Sequence, residues 1–152
     1  KVLSLVIAMY MFFSVSSTAF ASDAGASEAV HMAVANSIRA SYYLDAYSIG
    51  LGAKGNGLMA VAMTVDGVGI MDKIGVREIY IEQKVNGSWM FYDSLDGAEH
   101  PEFYDYDSRD YIGTTYFTGT PGVSYRVTLT AYAKKGTGSD TGYVTSPTVV
   151  CK

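Results

Sequence analysis

The sequence predicts an all-β domain, an antiparallel β-sandwich of seven strands. Short segments in which apolar and polar residues alternate recur along the chain, and clusters of Gly, Asn, Asp and Pro separate them. No segment of the domain repeats its apolar residues at the period of an amphipathic helix. Since the chain of 152 residues has a single cysteine, burial of apolar side chains must supply its stability.

The clearest unit is a hairpin within residues 76–95, centred on Asn86-Gly87, a pair that favours the type I′ turn between two strands. Alternation along the first strand places Ile79, Ile81 and Val85 toward the core. A two-residue turn also fixes which residues face each other. The predicted cross-strand pairs are Val85 with Ser88, Gln83 with Met90, Ile81 with Tyr92 and Ile79 with Ser94.

The other face of this hairpin carries large aromatic side chains among charged ones, and it is the candidate binding surface. Pairing of the sixth predicted strand with the third adds Tyr132 to the same face. The alternative interpretation is that these residues form cross-strand pairs that only stabilise the sheet. The candidate binding residues are Tyr80, Trp89, Phe91 and Tyr132, with Glu82, Lys84, Arg126 and Lys134 expected beside them.

Five further strands are predicted from the same alternation. Residues 68–75 are expected to form an irregular connection whose apolar side chains close one end of the core. Residues 136–142 are expected to form a polar hairpin loop, and Pro147 indicates an edge position for the last strand. The five strands are predicted at residues 46–53, 58–65, 111–118, 124–134 and 143–150.

The N-terminal residues have the pattern of a secretory signal: Lys1, an apolar run over residues 2–13, and an Ala19-x-Ala21 cleavage site. The run is short for a membrane span, so no membrane anchor is expected after cleavage, and a retained anchor is the alternative. The protein is therefore expected to be secreted. The predicted segments are a signal peptide at 1–21, a leader or linker at 22–45, either a short helix or mobile, and the β-sandwich domain at 46–152.

The charge pattern argues against nucleic acid as a partner. The chain has 11 Lys and Arg against 15 Asp and Glu, and 7 of these acids lie between Asp93 and Asp110. No basic cluster offers a surface for phosphates. Asp105, Asp107 and Asp110 carry the oxygen ligands that calcium prefers, but their spacing is not that of an EF-hand. A solvated acidic loop without a metal is therefore expected, with calcium binding as the alternative.

The domain shows no recognisable catalytic motif, so neither enzyme activity nor a cofactor is expected. His100 is its single histidine, and no nucleophile motif accompanies it. One histidine and one cysteine fall short of a zinc ligand set. Carboxylates that cleave glycosides flank the bond from two sides, whereas the acids here cluster on one loop. Cys151 is expected to be an apolar residue at a strand end, with pairing between two chains as the alternative.

The segment Pro121-Gly122-x-x-Tyr125 begins the sixth predicted strand. It resembles the tyrosine corner of fibronectin type III and immunoglobulin-like domains. The resemblance implies that the Tyr125 hydroxyl bonds to the backbone a few residues upstream. It also implies that the sandwich has a fibronectin type III or immunoglobulin-like arrangement.

Further motifs lie within about residues 46–152: Met71-x-x-Ile74-Gly75, Ile79-x-Ile81-x-Gln83-Lys84, Gly87-x-Trp89, Tyr125-Arg126-Val127, Tyr132-Ala133 and Gly136-x-Gly138-Ser139-Asp140. In these motifs the chain resembles a small secreted domain family of unknown function from Gram-positive, largely clostridial bacteria. The resemblance implies export and a β-sandwich, and it transfers no catalytic residue.

These expectations together describe a secreted, non-enzymatic module, expected to be a monomer, that binds a protein or glycan ligand. One alternative is a carbohydrate-binding module that uses the aromatic face. The other is a structural component of the cell envelope.

Overall fold

The computed structural model describes residues 32–38 and 41–152. The predicted signal peptide lies outside the described residues, as does most of the predicted leader. The described residues contain no α-helix, and one short 3-10 helix spans Pro101–Phe103. The strands are β1 (Ala33–Ile38), β2 (Leu44–Gly55), β3 (Leu58–Met71), β4 (Lys73–Val85), β5 (Ser88–Asp96), β6 (Tyr104–Asp105), β7 (Ser108–Thr118), β8 (Ser124–Lys135), β9 (Gly138–Thr145) and β10 (Val149–Val150).

The strands form two antiparallel sheets, which confirms the predicted all-β sandwich. Sheet A has the order β1-β2-β3-β7. In sheet B the central strands are β8 and β4; β9 and β10 pair with β8 on one side, and β5 and β6 pair with β4 on the other. Each of the seven predicted strands coincides with strand structure, and the described chain has ten strand segments in all.

The core lies between the sheets and consists of the inward residues of the alternating strands. Ile49 and Leu51 of β2, Met63 of β3 and Ile81 of β4 are among its fully buried side chains. Each such aliphatic side chain contributes about 1.5–3 kcal/mol by leaving water. Val85 was also predicted on this side, and it is 41% exposed. The reason is that β4 continues beyond Gln83, the last residue that pairs with β8, so Val85 lies at an uncovered hairpin tip.

The connection predicted over residues 68–75 is largely strand, contrary to expectation. β3 continues to Met71 and β4 begins at Lys73, so the chain passes from sheet A to sheet B at Asp72. Met71 and Ile74 are buried at this end of the core, as the apolar pattern predicted. The Asp72 carboxylate accepts a hydrogen bond from the Gly136 N–H at 2.6 Å, which ties the crossing to the β8–β9 hairpin.

The C-terminal hairpin is tighter than expected. β9 begins at Gly138, inside the loop predicted over residues 136–142. The last predicted strand is divided into β9 and β10 around Pro147, and both lie at an edge of sheet B, the position that this proline indicated.

Sheet A extends N-terminal to the predicted domain. β1 lies within the predicted leader and pairs with β2 from Ala33 opposite Leu51 to Ile38 opposite Ala46. The expected boundary at Ala46 falls inside β2. Alternation of apolar and polar residues is weak in β1, whose residues are Ala-Val-Ala-Asn-Ser-Ile. The sequence pattern therefore does not predict that this segment pairs with β2.

The central hairpin has the predicted turn and, near it, the predicted register. Asn86 and Gly87 both have positive φ, at 50° and 84°, as a type I′ turn requires. Val85 pairs with Ser88 and Gln83 with Met90. Farther from the turn the prediction is wrong, because a β-bulge at Tyr92 shifts the register. The observed pairs there are Ile81 with Asp93, Tyr80 with Ser94 and Ile79 with Leu95.

Tyr125 makes the backbone contact that its motif implied. Its hydroxyl accepts a hydrogen bond from the Thr120 N–H at 2.8 Å, and the side chain is fully buried. Cys151 is a buried free thiol near the same residues, and the Cys151 N–H bonds to the Val123 carbonyl at 2.9 Å. Cys151 thus lies buried directly after β10, the strand-end position expected of it.

Candidate functional site

The outer face of sheet B is the surface on which the candidate binding residues lie. β4 pairs with β8, as predicted for the third and sixth strands, and Glu82 lies opposite Arg126. Phe91 of β5 lies opposite Glu82, and Trp89 lies opposite Lys84. Three strands therefore present these side chains on one face.

Five of these residues form a compact group near the β4–β5 turn, called here the tip cluster: Tyr80, Glu82, Trp89, Phe91 and Arg126. The Tyr80 and Phe91 rings lie 5.2 Å apart between centroids and are tilted by 40°. The Arg126 guanidinium lies 4.5 Å from the centroid of the Trp89 ring. Phe91 is 56% exposed and Tyr80 is 37% exposed, so the group presents ring surface to solvent.

The tip cluster holds its one arginine in a fixed position. Arg126 Nε and Nη2 donate to the two carboxylate oxygens of Glu82 at 2.7 and 3.0 Å, a bidentate pair. The hydrogen bond to Glu82 raises the pKa of Arg126, so the guanidinium stays charged. Because Arg126 also covers one side of Trp89, and Lys84 approaches the same ring at 5.8 Å, the indole is part of a charged and aromatic surface.

A second group, called here the base cluster, lies at the other end of the same face: Lys73, Arg77, Tyr104, Tyr106 and Tyr132. The Arg77 guanidinium lies 4.8 Å from the centroid of the Tyr132 ring, and Lys73 Nζ lies 3.5 Å from that of Tyr104. The Tyr104 and Tyr132 rings meet edge to face at 6.3 Å. Burial raises the pKa of Tyr104, so its hydroxyl remains a neutral donor well above neutral pH.

The structure therefore divides the predicted site. Tyr80, Trp89 and Phe91 lie together, whereas Tyr132 belongs to the base cluster. Tyr132 lies six positions along β8 from Arg126, which corresponds to about 20 Å along a strand. All four candidates lie on the outer face of sheet B, as predicted, and they fall into two clusters at opposite ends of it.

Sequence reasoning missed Arg77 and Tyr104 because local irregularities place them. β4 has a register shift between Val76 and Glu78, and Arg77 is the extra residue there. Its side chain lies on the outer face although strict alternation from Ile79 would point it inward. Tyr104 belongs to β6, a strand of two residues, for which no periodic pattern exists.

The acidic segment contributes no comparable site. His100 Nδ1 lies 2.8 Å from Glu102 Oε1, and its ring stacks on Phe103 at 4.8 Å. The hydrogen bond from His100 lowers the pKa of Glu102. Within residues 32–38 and 41–152, no group of three His, Cys, Asp or Glu side chains is arranged to hold a metal ion. Burial raises the pKa of the Cys151 thiol, which reduces its thiolate character.

No helix among the described residues is long and apolar enough to span a bilayer. Comparisons of the chain with models of known protein families, with curated proteins and with solved structures gave no match.

Proposed function

We propose that this protein is a secreted, non-enzymatic binding module that engages a protein ligand through the tip cluster. The observation that carries the proposal is the exposed pair of Tyr80 and Phe91 beside the fixed charges of Arg126 and Glu82. The proposed export rests on the signal pattern of residues 1–21.

The composition of the tip cluster favours a protein ligand. Aromatic residues and arginine are enriched at the energetic centres of protein interfaces. A bidentate ion pair fixes the orientation of the guanidinium before binding, so less conformational entropy is lost when the ligand arrives. Exposed ring surface next to such a pair can bury apolar area while charged groups at the rim select the partner.

We also propose a fibronectin type III-like arrangement for the sandwich. Two observations support it: the central pairing of β4 with β8, and the hydrogen bond from the Thr120 N–H to the Tyr125 hydroxyl. In this arrangement the outer face of sheet B is an extended surface, and a single domain can present both clusters.

A carbohydrate-binding module is the second candidate, because six exposed or partly exposed rings share one sheet face. Sugar rings stack on aromatic faces that are open to solvent. In the tip cluster, however, the Tyr80 and Phe91 rings are tilted by 40°, and Arg126 covers Trp89. These contacts favour the protein ligand over the sugar.

The test is chemical cross-linking of the secreted protein to surface and culture proteins of its own source, followed by mass spectrometry, with a glycan array in parallel. The double variant Tyr80→Ala with Phe91→Ala should no longer capture the ligand protein, since hot-spot residues each contribute about 2 kcal/mol or more to the binding free energy. The matched control is Tyr42→Ala with Ile70→Ala, which removes one tyrosine and one other apolar side chain, 89% and 61% exposed, outside the tip cluster.

Loss of binding in both double variants would contradict the assignment to the tip cluster. A specific glycan that depends on Phe91, with no captured protein, would establish the carbohydrate-binding alternative.

A further inference from the structure

A second surface, distinct from the tip cluster, lies along the free edge of sheet A. β7 is the last strand of that sheet and pairs with β3 alone, without interruption from Thr118 opposite Leu58 to Asp110 opposite Asp66. Proteins protect such edges with bulges, prolines or lysines. β5 has a bulge at Tyr92, and Pro147 interrupts the edge formed by β9 and β10. Between Asp110 and Thr118, β7 has none of these devices.

The backbone groups that face the open edge can be identified from the hydrogen bonds around β7. The Gly119 N–H bonds to the Gly57 carbonyl at 2.7 Å, so the odd-numbered residues direct their N–H and C=O groups toward β3. Neighbouring residues in a strand direct these groups to opposite sides. The N–H and C=O groups of Asp110, Ile112, Thr114, Tyr116 and Thr118 therefore point away from β3.

The two ends of this edge are closed by side chains. Ser108 Oγ donates to the Asp110 carbonyl at 2.8 Å and accepts from the Asp110 N–H at 3.4 Å. The Tyr92 hydroxyl donates to the Thr118 carbonyl at 2.6 Å. The part of the chain that the structure describes makes no hydrogen bond to the edge-facing groups of Ile112, Thr114 and Tyr116. These three residues form an open window about 13 Å long.

Sheet B provides a floor beside the window. β7 packs against β4, and β5 continues sheet B one strand farther. The inward-facing residues of β5 at this level are Asp93 and Leu95, which lie opposite Ile81 and Ile79. Leu95 is partly buried against the core, and Asp93 is exposed. A strand added to β7 would lie over this floor and cover both side chains.

The occupant that fits is a single extended segment and not a second copy of the domain. Between Asp110 and Thr118, β7 itself has no Lys or Arg, so a second copy of this strand would bring no basic side chain to the exposed Asp93. An extended segment of another protein can supply one. The exposed Asp93 on the floor gives the site a negative charge, which complements a basic side chain.

We propose that the window formed by Ile112, Thr114 and Tyr116 binds an extended, basic peptide segment of another protein as an additional strand of sheet A. Main-chain hydrogen bonds to these three residues supply the attachment. The residues of the segment that face inward pack on Leu95, and a Lys or Arg among them pairs with Asp93.

The test is a display library of peptides of about ten residues, screened against the whole protein. Each position in the library is Val, Ile, Thr, Tyr, Lys, Glu or Ser, so that one face of the added strand can combine apolar and charged side chains. Thr114→Pro removes the central N–H of the window while leaving the bonds to β3, because those bonds come from the odd-numbered residues. The matched control, Thr114→Val, keeps both backbone groups.

We expect selected peptides to be rich in Lys and to bind wild-type protein and Thr114→Val equally well. Thr114→Pro should bind them about tenfold or more weakly, and Asp93→Asn should remove the preference for Lys over Glu while binding persists. If Thr114→Pro does not fold, the peptide is changed instead. Methylation of the peptide amide nitrogens along the edge that faces β7 should weaken its binding to wild-type protein by the same factor.

Three results would overturn the proposal. The first is a library with no enriched peptide, and the second is unchanged binding by a folded Thr114→Pro variant or by the methylated peptide. The third is a wild-type dimer in analytical ultracentrifugation that Thr114→Pro dissociates, which would make a second copy the occupant.

Discussion

At the scale of single residues, two buried tyrosines differ in one hydrogen bond. Tyr47 is 2% exposed, and its hydroxyl has no hydrogen-bond partner among the described residues. Tyr125 is 0% exposed, and its hydroxyl accepts from the Thr120 N–H. A buried polar group without a partner costs free energy, whereas a satisfied one contributes to stability.

Removal of the two hydroxyls should therefore have opposite effects. Tyr47→Phe is expected to raise the free energy of unfolding by about 1 kcal/mol, because it removes an unsatisfied group. Tyr125→Phe is expected to lower it by about 1–2 kcal/mol, because the Thr120 N–H loses its acceptor. Urea denaturation of both variants measures the difference, and destabilisation of similar size in both would show that Tyr47 has a partner after all.

At the scale of elements, the bulges in β4 and β5 decide which side chains reach the core. Strict alternation from the Asn86-Gly87 turn places Ser94 inward and Leu95 outward. The bulge at Tyr92 reverses them: Leu95 lies opposite Ile79 and packs on the core, and Ser94 lies opposite the outward Tyr80. Tyr92 itself faces inward, as alternation placed it, and its ring lies 6.2 and 5.2 Å from those of Phe117 and Tyr125.

The register can be tested with alanine at the two adjacent positions. Leu95→Ala should lower the free energy of unfolding by about 2 kcal/mol, since it removes partly buried apolar surface. Ser94→Ala should change it by less than about 0.5 kcal/mol, as expected of an exposed position. The measurement is denaturation by guanidinium chloride. If Ser94→Ala lowers the free energy of unfolding more than Leu95→Ala does, the hairpin has the register without the bulge.

The bulges also mark where sequence reasoning reached its limit. Alternation identified Ile79 and Ile81 of β4 as buried residues, because hydrophobic burial acts on each strand separately. It located the turn at Asn86-Gly87, because a two-residue turn needs positive φ at both positions. An extra residue in one strand has no local signature, so the outward position of Arg77 and the separation of Tyr132 from Trp89 depended on the assembled sheets.

At the scale of the whole molecule, the two sheets are joined where the chain crosses between them. Near the crossing from β6 to β7, Tyr111 of sheet A is buried, and it lies within electrostatic reach of Asp105 and Glu102. Burial, reinforced by these carboxylates, raises the pKa of Tyr111 to about 12. Ionisation of this side chain would place a negative charge between the sheets, so the native state favours the neutral phenol.

The shift makes the stability of the domain depend on alkaline pH. The pKa of Tyr111 is higher in the folded than in the unfolded chain, so its contribution is fully present below about pH 10 and is lost as pH rises toward 12. A shift of this size corresponds to a loss on the order of 2 kcal/mol. Burial raises the pKa of Tyr92 and Tyr104 as well, so the wild-type loss should exceed that of Tyr111 alone.

Comparison with Tyr111→Phe isolates the contribution of this one residue. The variant should lose less free energy of unfolding than wild type between pH 9 and pH 12, by on the order of 2 kcal/mol, because it has no phenol to ionise at that position. Urea denaturation at a series of pH values provides the measurement. The control is Tyr116→Phe, an exposed position on the same strand, which should keep the wild-type pH dependence. Identical pH profiles for wild type and Tyr111→Phe would mean that the buried phenol does not contribute to the alkaline loss of stability.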